Sequence, residues 1–462
     1  MNKLLFASFL LSGAFAFAEV PSTVAIHNAK IVPVSGPVIA KGTVVIRNGL
    51  IEAVGDNVPV PPEAWVVDAE GMTVYPGLID ALSTVGIPGA APAAGAGRGG
   101  RGGVAAPAVP VVETAPVQRS WGPEDRPQTT SWLLAADEIQ ANDRRIETVR
   151  GSGITTAVTF PTRGIFAGQG SIIDLASSEK AAELVLVPAV GQYIALGRGG
   201  FGGGGGGGFP SSLMGVISYI RQIYLDADHY KLVKEAYARD PRGMQRPEYD
   251  RALEGVIASK RILLPANRVV EIDRMLRFAA ELRQPMILYG ARDAYEPAAA
   301  NLLKKSNASV LVSLRWPAPP ARPPDQEDTD TLRILEERDK APTAPAVLQQ
   351  AGVKYALYSD GLDAPREFQR AVKKAIDNGL SREDALRALT LSPAEIYGVA
   401  DRVGSIEKGK IANLVLTKGD IFDDHTTIVM VFVDGKKYSP AETAPAGRGP
   451  ATDEPGNPGG IQ

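Results

Sequence analysis

The sequence predicts an α/β fold: a (β/α)8 TIM-like barrel carrying a small β-sandwich domain built from both chain ends. Three observations support this. β-branched runs punctuated by Asn-Gly or Asp-Gly turns occur near both ends of the chain. Between them, short apolar runs alternate with amphipathic helical stretches, the pattern of strands covered by helices. At 462 residues the chain is also long enough for one large barrel and a smaller domain. The boundaries that follow are residues 19–75 and 403–439 for the two parts of the sandwich and 76–402 for the barrel. An open doubly wound sheet has the same periodicity as the barrel, so periodicity does not separate the two.

In order along the chain, residues 24–34 and 43–54 carry β-branched strand patterns, and Arg47-Asn48-Gly49-Leu50 is a hairpin signal. Residues 66–74 add short strands around a turn at Glu70-Gly71. In the middle, strands are expected at 155–160, 262–264, 285–289, 309–314 and 354–358. Helices are expected at 268–282, 295–305, 345–351 and 364–378. Pro345 suits a first helical turn, where its missing N–H costs nothing. Residues 414–416 and 428–433 return to the strand pattern, with Asp434-Gly435 as a second hairpin turn.

Composition narrows the class further. With 22% charged and 44% hydrophobic residues, most of the chain reads as an ordinary globule. A net charge of -3 gives no reason to expect nucleic acid as a partner. The first 18 residues read as a signal peptide: Lys3, an apolar run over 4–15, and Ala16-Phe17-Ala18 before Glu19. The mature chain is therefore expected to be periplasmic or secreted. No stretch approaches the roughly 20 apolar residues needed to span a bilayer. With no cysteine, neither a disulfide nor a cysteine-linked lipid can form.

Gly/Pro-rich stretches at 86–116 and 197–210, a proline-rich run at 317–324 and the tail at 440–462 bury too little apolar surface to offset ordering entropy. The Gly/Arg run at 97–103 lacks the flanking strand and Lys-Ser/Thr helix of a phosphate loop, so it reads as a flexible insertion. The acidic run 325–330 reads as a solvated loop.

Two motifs carry more specific information. The first is Pro76-Gly77-Leu78-Ile79-Asp80, followed by Ala81-Leu82-Ser83-Thr84. The second spans Ala385-Leu386-Arg387-Ala388-Leu389-Thr390-Leu391-Ser392-Pro393-Ala394-Glu395 and Gly404-Ser405-Ile406-Glu407-Lys408-Gly409-Lys410-Ile411-Ala412-Asn413-Leu414. On these motifs, residues 24–437 resemble an imidazolonepropionase-like member of the amidohydrolase superfamily. Relatives carry Asp where this chain has Asn413. The resemblance implies metal-assisted hydrolysis of non-peptide C–N bonds, normally with zinc or another divalent metal.

The same resemblance locates the residues that would bind the metal, and this chain departs from them. On the first strand the family's His-x-His is replaced by Leu82 and Thr84. On the fifth, His-Ala-His-Arg becomes Pro265-Ala266-Asn267-Arg268, and on the sixth the histidine before glycine becomes Tyr289 before Gly290. On the eighth, Ser359-Asp360-Gly361 keeps the metal-facing carboxylate, Asp360. Leucine offers no lone pair, and neutral hydroxyls are poor ligands for zinc. The three histidines, His27, His229 and His425, all fall away from the expected strand ends. No metal ligands and no cofactor are therefore assigned.

The reading that follows is a metal-free, catalytically degenerate amidohydrolase-like chain. It would bind a small molecule or peptide through Thr84, Asn267, Arg268 and Tyr289, or serve as a subunit of a homo-oligomer or of a hetero-oligomer with an active relative. The alternative is an active hydrolase of cyclic amides or small peptides that uses Asp360 as its catalytic residue, with an atypical metal or none. Against it, a carboxylate with a pKa near 4 is a weak base at neutral pH unless burial raises it. Asp360 also reads as a structural hydrogen-bond acceptor. A third reading is an envelope interaction protein that uses its Gly/Arg/Pro insertions as contacts.

Overall fold

A computed structural model describes residues 22–87, 126, 128–196, 210, 212–319, 330–423 and 426–439. The expected signal peptide, the tail at 440–462, most of both Gly-rich insertions, His425 and all of the acidic run but Asp330 lie outside the described residues, as do residues 320–324 of the proline-rich run.

The two chain ends build one sheet. Its strands are β1 (Thr23–Ile31), β2 (Ile39–Arg47), β3 (Leu50–Gly55), β4 (Trp65–Asp68) and β5 (Thr73–Pro76) from the front. The barrel strands are β6 (Leu78–Ser83), β7 (Ile154–Thr159), β8 (Phe166–Asp174), β9 (Val185–Ile194), β10 (Ile262–Ala266), β11 (Met286–Gly290), β12 (Ser309–Ser313) and β13 (Tyr355–Tyr358). From the back come β14 (Leu414–Lys418), β15 (Thr427–Val433) and β16 (Lys436–Tyr438). The terminal sheet runs β16-β15-β14-β5-β1-β2-β3. It divides at β1, whose first half pairs with β4 and whose second half pairs with β5. Val24, Ile26, Val44, Ile46, Leu414 and Phe432 fill its core. Both hairpin signals form: Asn48 and Gly49, and Asp434 and Gly435, take the positive φ of a type I′ turn.

The barrel sheet has eight strands in the order β13-β12-β11-β10-β9-β8-β7-β6. Strand–helix alternation holds through its second half, where the helices Val269–Glu281, Pro297–Ser306, Ala344–Ala351 and Pro365–Asp377 follow β10 to β13. It fails at β8, which is antiparallel to both β7 and β9. The cause lies in chain length. Only residues 160–165 join β7 to β8, whereas a parallel crossover needs a dozen or more.

Burying β8 and β9 needs polar satisfaction as well as apolar packing. The Gln169 amide donates to Gln192 Oε1 at 3.3 Å and to the Gly255 carbonyl at 3.1 Å. Gln192 in turn donates to the Gly168 carbonyl at 3.1 Å. These polar and glycine positions hide both strands from a hydrophobicity pattern.

Two buried carboxylates join the parts. Only Gly77 separates the sandwich strand β5 from the barrel strand β6, and a Cβ there would lie 2.0 Å from Thr155 Oγ1. Between β6 and β13, at the ends of the barrel sheet, Asp80 accepts from the Ser359 backbone N–H at 2.9 Å and from its Oγ at 2.6 Å. Asp174 accepts from Asn413 Nδ2 at 2.8 Å and Thr156 Oγ1 at 3.0 Å, tying the barrel to the terminal sheet. Burial pushes Asp80 up to about 6 and Asp174 up to about 7, against the pull of those hydrogen bonds.

These contacts explain Asn413, which completes its set by accepting from the Asp434 N–H at 2.8 Å. An amide can donate to Asp174, whereas aspartate there would set two carboxylates side by side. Asn413→Asp is therefore expected to lower stability in urea melts, with a larger loss at pH 8 than at pH 5. Asp80→Ala, which removes the acceptor of two buried hydrogen bonds, is expected to cost about 3 kcal/mol.

The pH dependence has a definite sign. Both carboxylates titrate higher folded than unfolded, so their contribution is most favourable below about pH 4. It declines as pH rises towards 7. Asp174→Asn should flatten that decline, and an unchanged slope would count against the assignment.

Candidate functional site

At the mouth of the barrel the strand ends bring together most of the residues singled out from the sequence. Leu82 is 1% exposed and packs inside the barrel in one cluster with Val158, Tyr193, Leu263 and Tyr289. Thr84 is held by Arg145, whose Nη1 donates to Thr84 Oγ1 at 3.1 Å. Arg145 Nη2 donates to the Thr84 and Ile87 carbonyls, each at 2.9 Å. Asp143 fixes that guanidinium at 2.7 Å and also accepts from the Gly86 N–H at 2.9 Å. A covalently tethered cation thus engages Thr84, the position where the resemblance leads one to expect the second histidine of His-x-His.

On the fifth strand, the Asn267 N–H donates to Glu271 Oε2 at 2.9 Å, and the Arg268 N–H reaches the same oxygen at 3.2 Å. Arg268 is exposed and stands at the N-cap of Val269–Glu281. The Asn267 Oδ1 is buried with no hydrogen-bond partner among the described residues. It lies over Gly290, where a Cβ would come within 2.5 Å of it and where φ is +103°. Glycine is thus required after Tyr289 on two counts.

Tyr289 on the sixth strand donates to Tyr193 Oη at 3.0 Å, and their rings stack with centroids 5.3 Å apart. Burial pushes the Tyr193 phenol up to about 12 and holds Tyr289 well above the usual tyrosine range. Asp360 is 1% exposed and takes a left-handed φ of 52°. Its Oδ2 accepts from Ser313 Oγ at 2.8 Å, and its carbonyl accepts from Arg315 Nε at 2.8 Å. Its charge also raises the phenols of Tyr193, Tyr289 and Tyr358. Asp360 therefore sits in hydrogen-bond contact with Ser313 and in electrostatic contact with three tyrosines.

These residues do not fit a catalytic divalent ion. They comprise an alkyl chain, a hydroxyl bound to a guanidinium, an amide, a phenol paired with another phenol, and one carboxylate. Among the described residues no group of three or more His, Cys, Asp or Glu side chains could hold a metal ion. His27 bonds Thr43 in the terminal sheet at 2.9 Å, and His229 lies in the helix Leu213–Arg239. The second sequence motif serves the fold: Lys410 Nζ reaches Ser405 Oγ at 2.5 Å and Glu407 at 3.0 Å. Hydrogen bonds from Ser405, Ser35 and Lys410 pull Glu407 down to about 2.

Sequence reasoning overlooked Arg145, Tyr193 and Ser313 at the mouth, and Asp80 beneath it. Asp80 was visible as the last residue of the first motif. The other three come from segments with no motif.

The comparisons agree with this fold. The sequence profile of the amidohydrolase family matches residues 273–438. An amidohydrolase from Thermotoga maritima is 26% identical, superposing over 90% of this chain and 99% of its own with a TM-score of 0.69. Phenylurea hydrolase B (16% identity, 90% of this chain and 97% of that one, TM-score 0.51) and molinate hydrolase (15%, 96% and 100%, 0.50) share the fold. Fold and profile define a hydrolase-type barrel with an accessory sheet. Over residues 273–438 the chain is similar to the amidohydrolase family, and it shares the fold of the Thermotoga maritima amidohydrolase along most of its length.

The tether at Thr84 has a measurable consequence. Arg145→Met removes three hydrogen bonds to residues 84–87 and leaves Asp143 without its partner, so a loss of about 2 kcal/mol is expected in chemical denaturation. A loss below about 0.5 kcal/mol, the size of an ordinary surface substitution, would show that Arg145 does not anchor this loop.

Proposed function

We propose that this chain is a metal-free, catalytically degenerate amidohydrolase-type protein that acts through its barrel mouth as a ligand-binding or partner subunit. The observation that carries this reading is the state of the first strand, with Leu82 packed into the barrel core and Thr84 engaged by Arg145. Hydrolysis of an amide in this fold requires a water activated near neutral pH and a charge to stabilise the oxyanion. A bound divalent ion supplies both. Here the one carboxylate retained at the ligand positions, Asp360, accepts from Ser313, and among the described residues no group of three or more His, Cys, Asp or Glu side chains could hold a metal ion beside it.

Thr84, Asn267, Arg268 and Tyr289 would contribute hydrogen bonds and an aromatic face to a small molecule or peptide. The signal-like first 18 residues support export, and a periplasmic or secreted role is part of this proposal.

The test is a panel of cyclic amides and dipeptides, assayed with and without added Zn²⁺ or Mn²⁺, beside the Asp360→Asn variant. Turnover is expected to be indistinguishable between the two proteins and at background. Turnover that Asp360→Asn abolishes would contradict the proposal and favour an Asp360-dependent hydrolase.

A further inference from the structure

Three neighbouring strands end on the same pattern. β10 ends at Ala266, β11 at Gly290 and β12 at Ser313, and the second residue beyond each is an arginine: Arg268, Arg292 and Arg315. The ladders align Ala266 with Gly290 and Gly290 with Val312, so the three arginines follow adjacent strand ends. Parallel strands lie about 4.8 Å apart, which places the three strand ends within about 10 Å of rim.

Their hydrogen-bonding capacity is largely unused. Arg292 is 16% exposed, and among the described residues its Nε is buried with no hydrogen bond and its ion pair, to Glu337, is 4.0 Å long. Arg315 commits its Nε to the Asp360 carbonyl, and Arg268 is exposed. The fully buried Tyr358 hydroxyl, close to Ser313, has no hydrogen bond of normal geometry among the described residues. Arg292 lies near enough to Tyr358 to oppose the rise of its phenol.

The acidic groups around them are accounted for in part. Asp293 is matched by Arg333 at 3.5 Å, Asp360 accepts from Ser313, and Asp363 lies in the field of Arg145 and Arg315. Forked guanidiniums with free donors near the buried Tyr358 hydroxyl suit a planar oxyanion, which arginine binds through paired N–H groups.

We propose that the barrel mouth binds the carboxylate or phosphate group of a small anionic ligand, held by Arg292 and Arg315 with the Tyr358 hydroxyl nearby and Arg268 at the rim. This deepens the proposed function and rests on it, since it takes the mouth as a ligand site without metal. The mouth would then have changed from a cation site, as the family uses it, to an anion site.

The experiment is calorimetric titration of the full-length, chelator-treated protein with succinate and, separately, with inorganic phosphate at constant ionic strength. The variants are Arg292→Met, Arg292→Lys and Arg315→Gln, with Arg47→Gln in the terminal sheet as control. Saturable binding at millimolar concentration or tighter is expected for at least one anion. It should weaken about tenfold or more in Arg292→Met and Arg315→Gln, remain weak in Arg292→Lys, and be unchanged in the control.

Arg315 is exposed, so its variant reports on binding even if the Arg292 variants fail to fold. Absence of saturable binding, or binding indifferent to Arg315→Gln, overturns the proposal. Binding that appears only after divalent metal is restored also overturns it and contradicts the metal-free reading as well. Failure to bind by a metal-free protein overturns the anion site alone.

Discussion

The pair of hydrogen bonds from Ser359 to Asp80 is the interaction on which the barrel depends. Hydrogen-bonded ladders link β6 to β13 around the sheet, but between those two end strands the Asp80 carboxylate makes the connection. The Tyr397 hydroxyl adds a bond to the Ala81 carbonyl at 2.7 Å beside it. Because Asp80 is fully buried, its charge depends on hydrogen bonds from Ser359 and the Leu82 backbone. The most conspicuous motif of the sequence therefore keeps its fold-forming aspartate while the two histidine positions just beyond it are occupied by Leu82 and Thr84.

That separation between scaffold and chemistry recurs through the molecule. Ser359 and Asp360 are adjacent, yet Ser359 closes the barrel and Asp360 faces the mouth. Asn413 departs from the family's aspartate, and the structure supplies the compensating partner in Asp174. At the mouth, the positions where the resemblance leads one to expect imidazoles include an alkyl core residue, a tethered hydroxyl, an amide and a stacked phenol. Each replacement has found a packing or hydrogen-bonding role, apart from the Asn267 oxygen.

Much of the fold was legible in the sequence because its second half obeys simple periodicity. The strands at β10 to β13 and the helices after them lie within a residue or two of the expected bounds, since apolar runs there are short, clean and flanked by amphipathic helices. The reversed strand β8 was not legible. Gln169, Ser171 and Gln192 are buried through hydrogen bonds that no local pattern announces, and the antiparallel turn follows from a short connection. The strand-end substitutions could be read only because a family resemblance marked the positions. Arg145, distant in sequence from Thr84, could not be linked to it without coordinates, whereas the recurring arginine two residues past β10, β11 and β12 needed only correct strand ends.

The central claim is that the residues at this mouth cannot retain a catalytic ion. Elemental analysis of the full-length protein, purified from medium supplied with zinc, manganese and iron, tests it most directly. The metal bound should be well below one equivalent per chain and lost on dialysis. One full equivalent that survives dialysis against a chelator would contradict it.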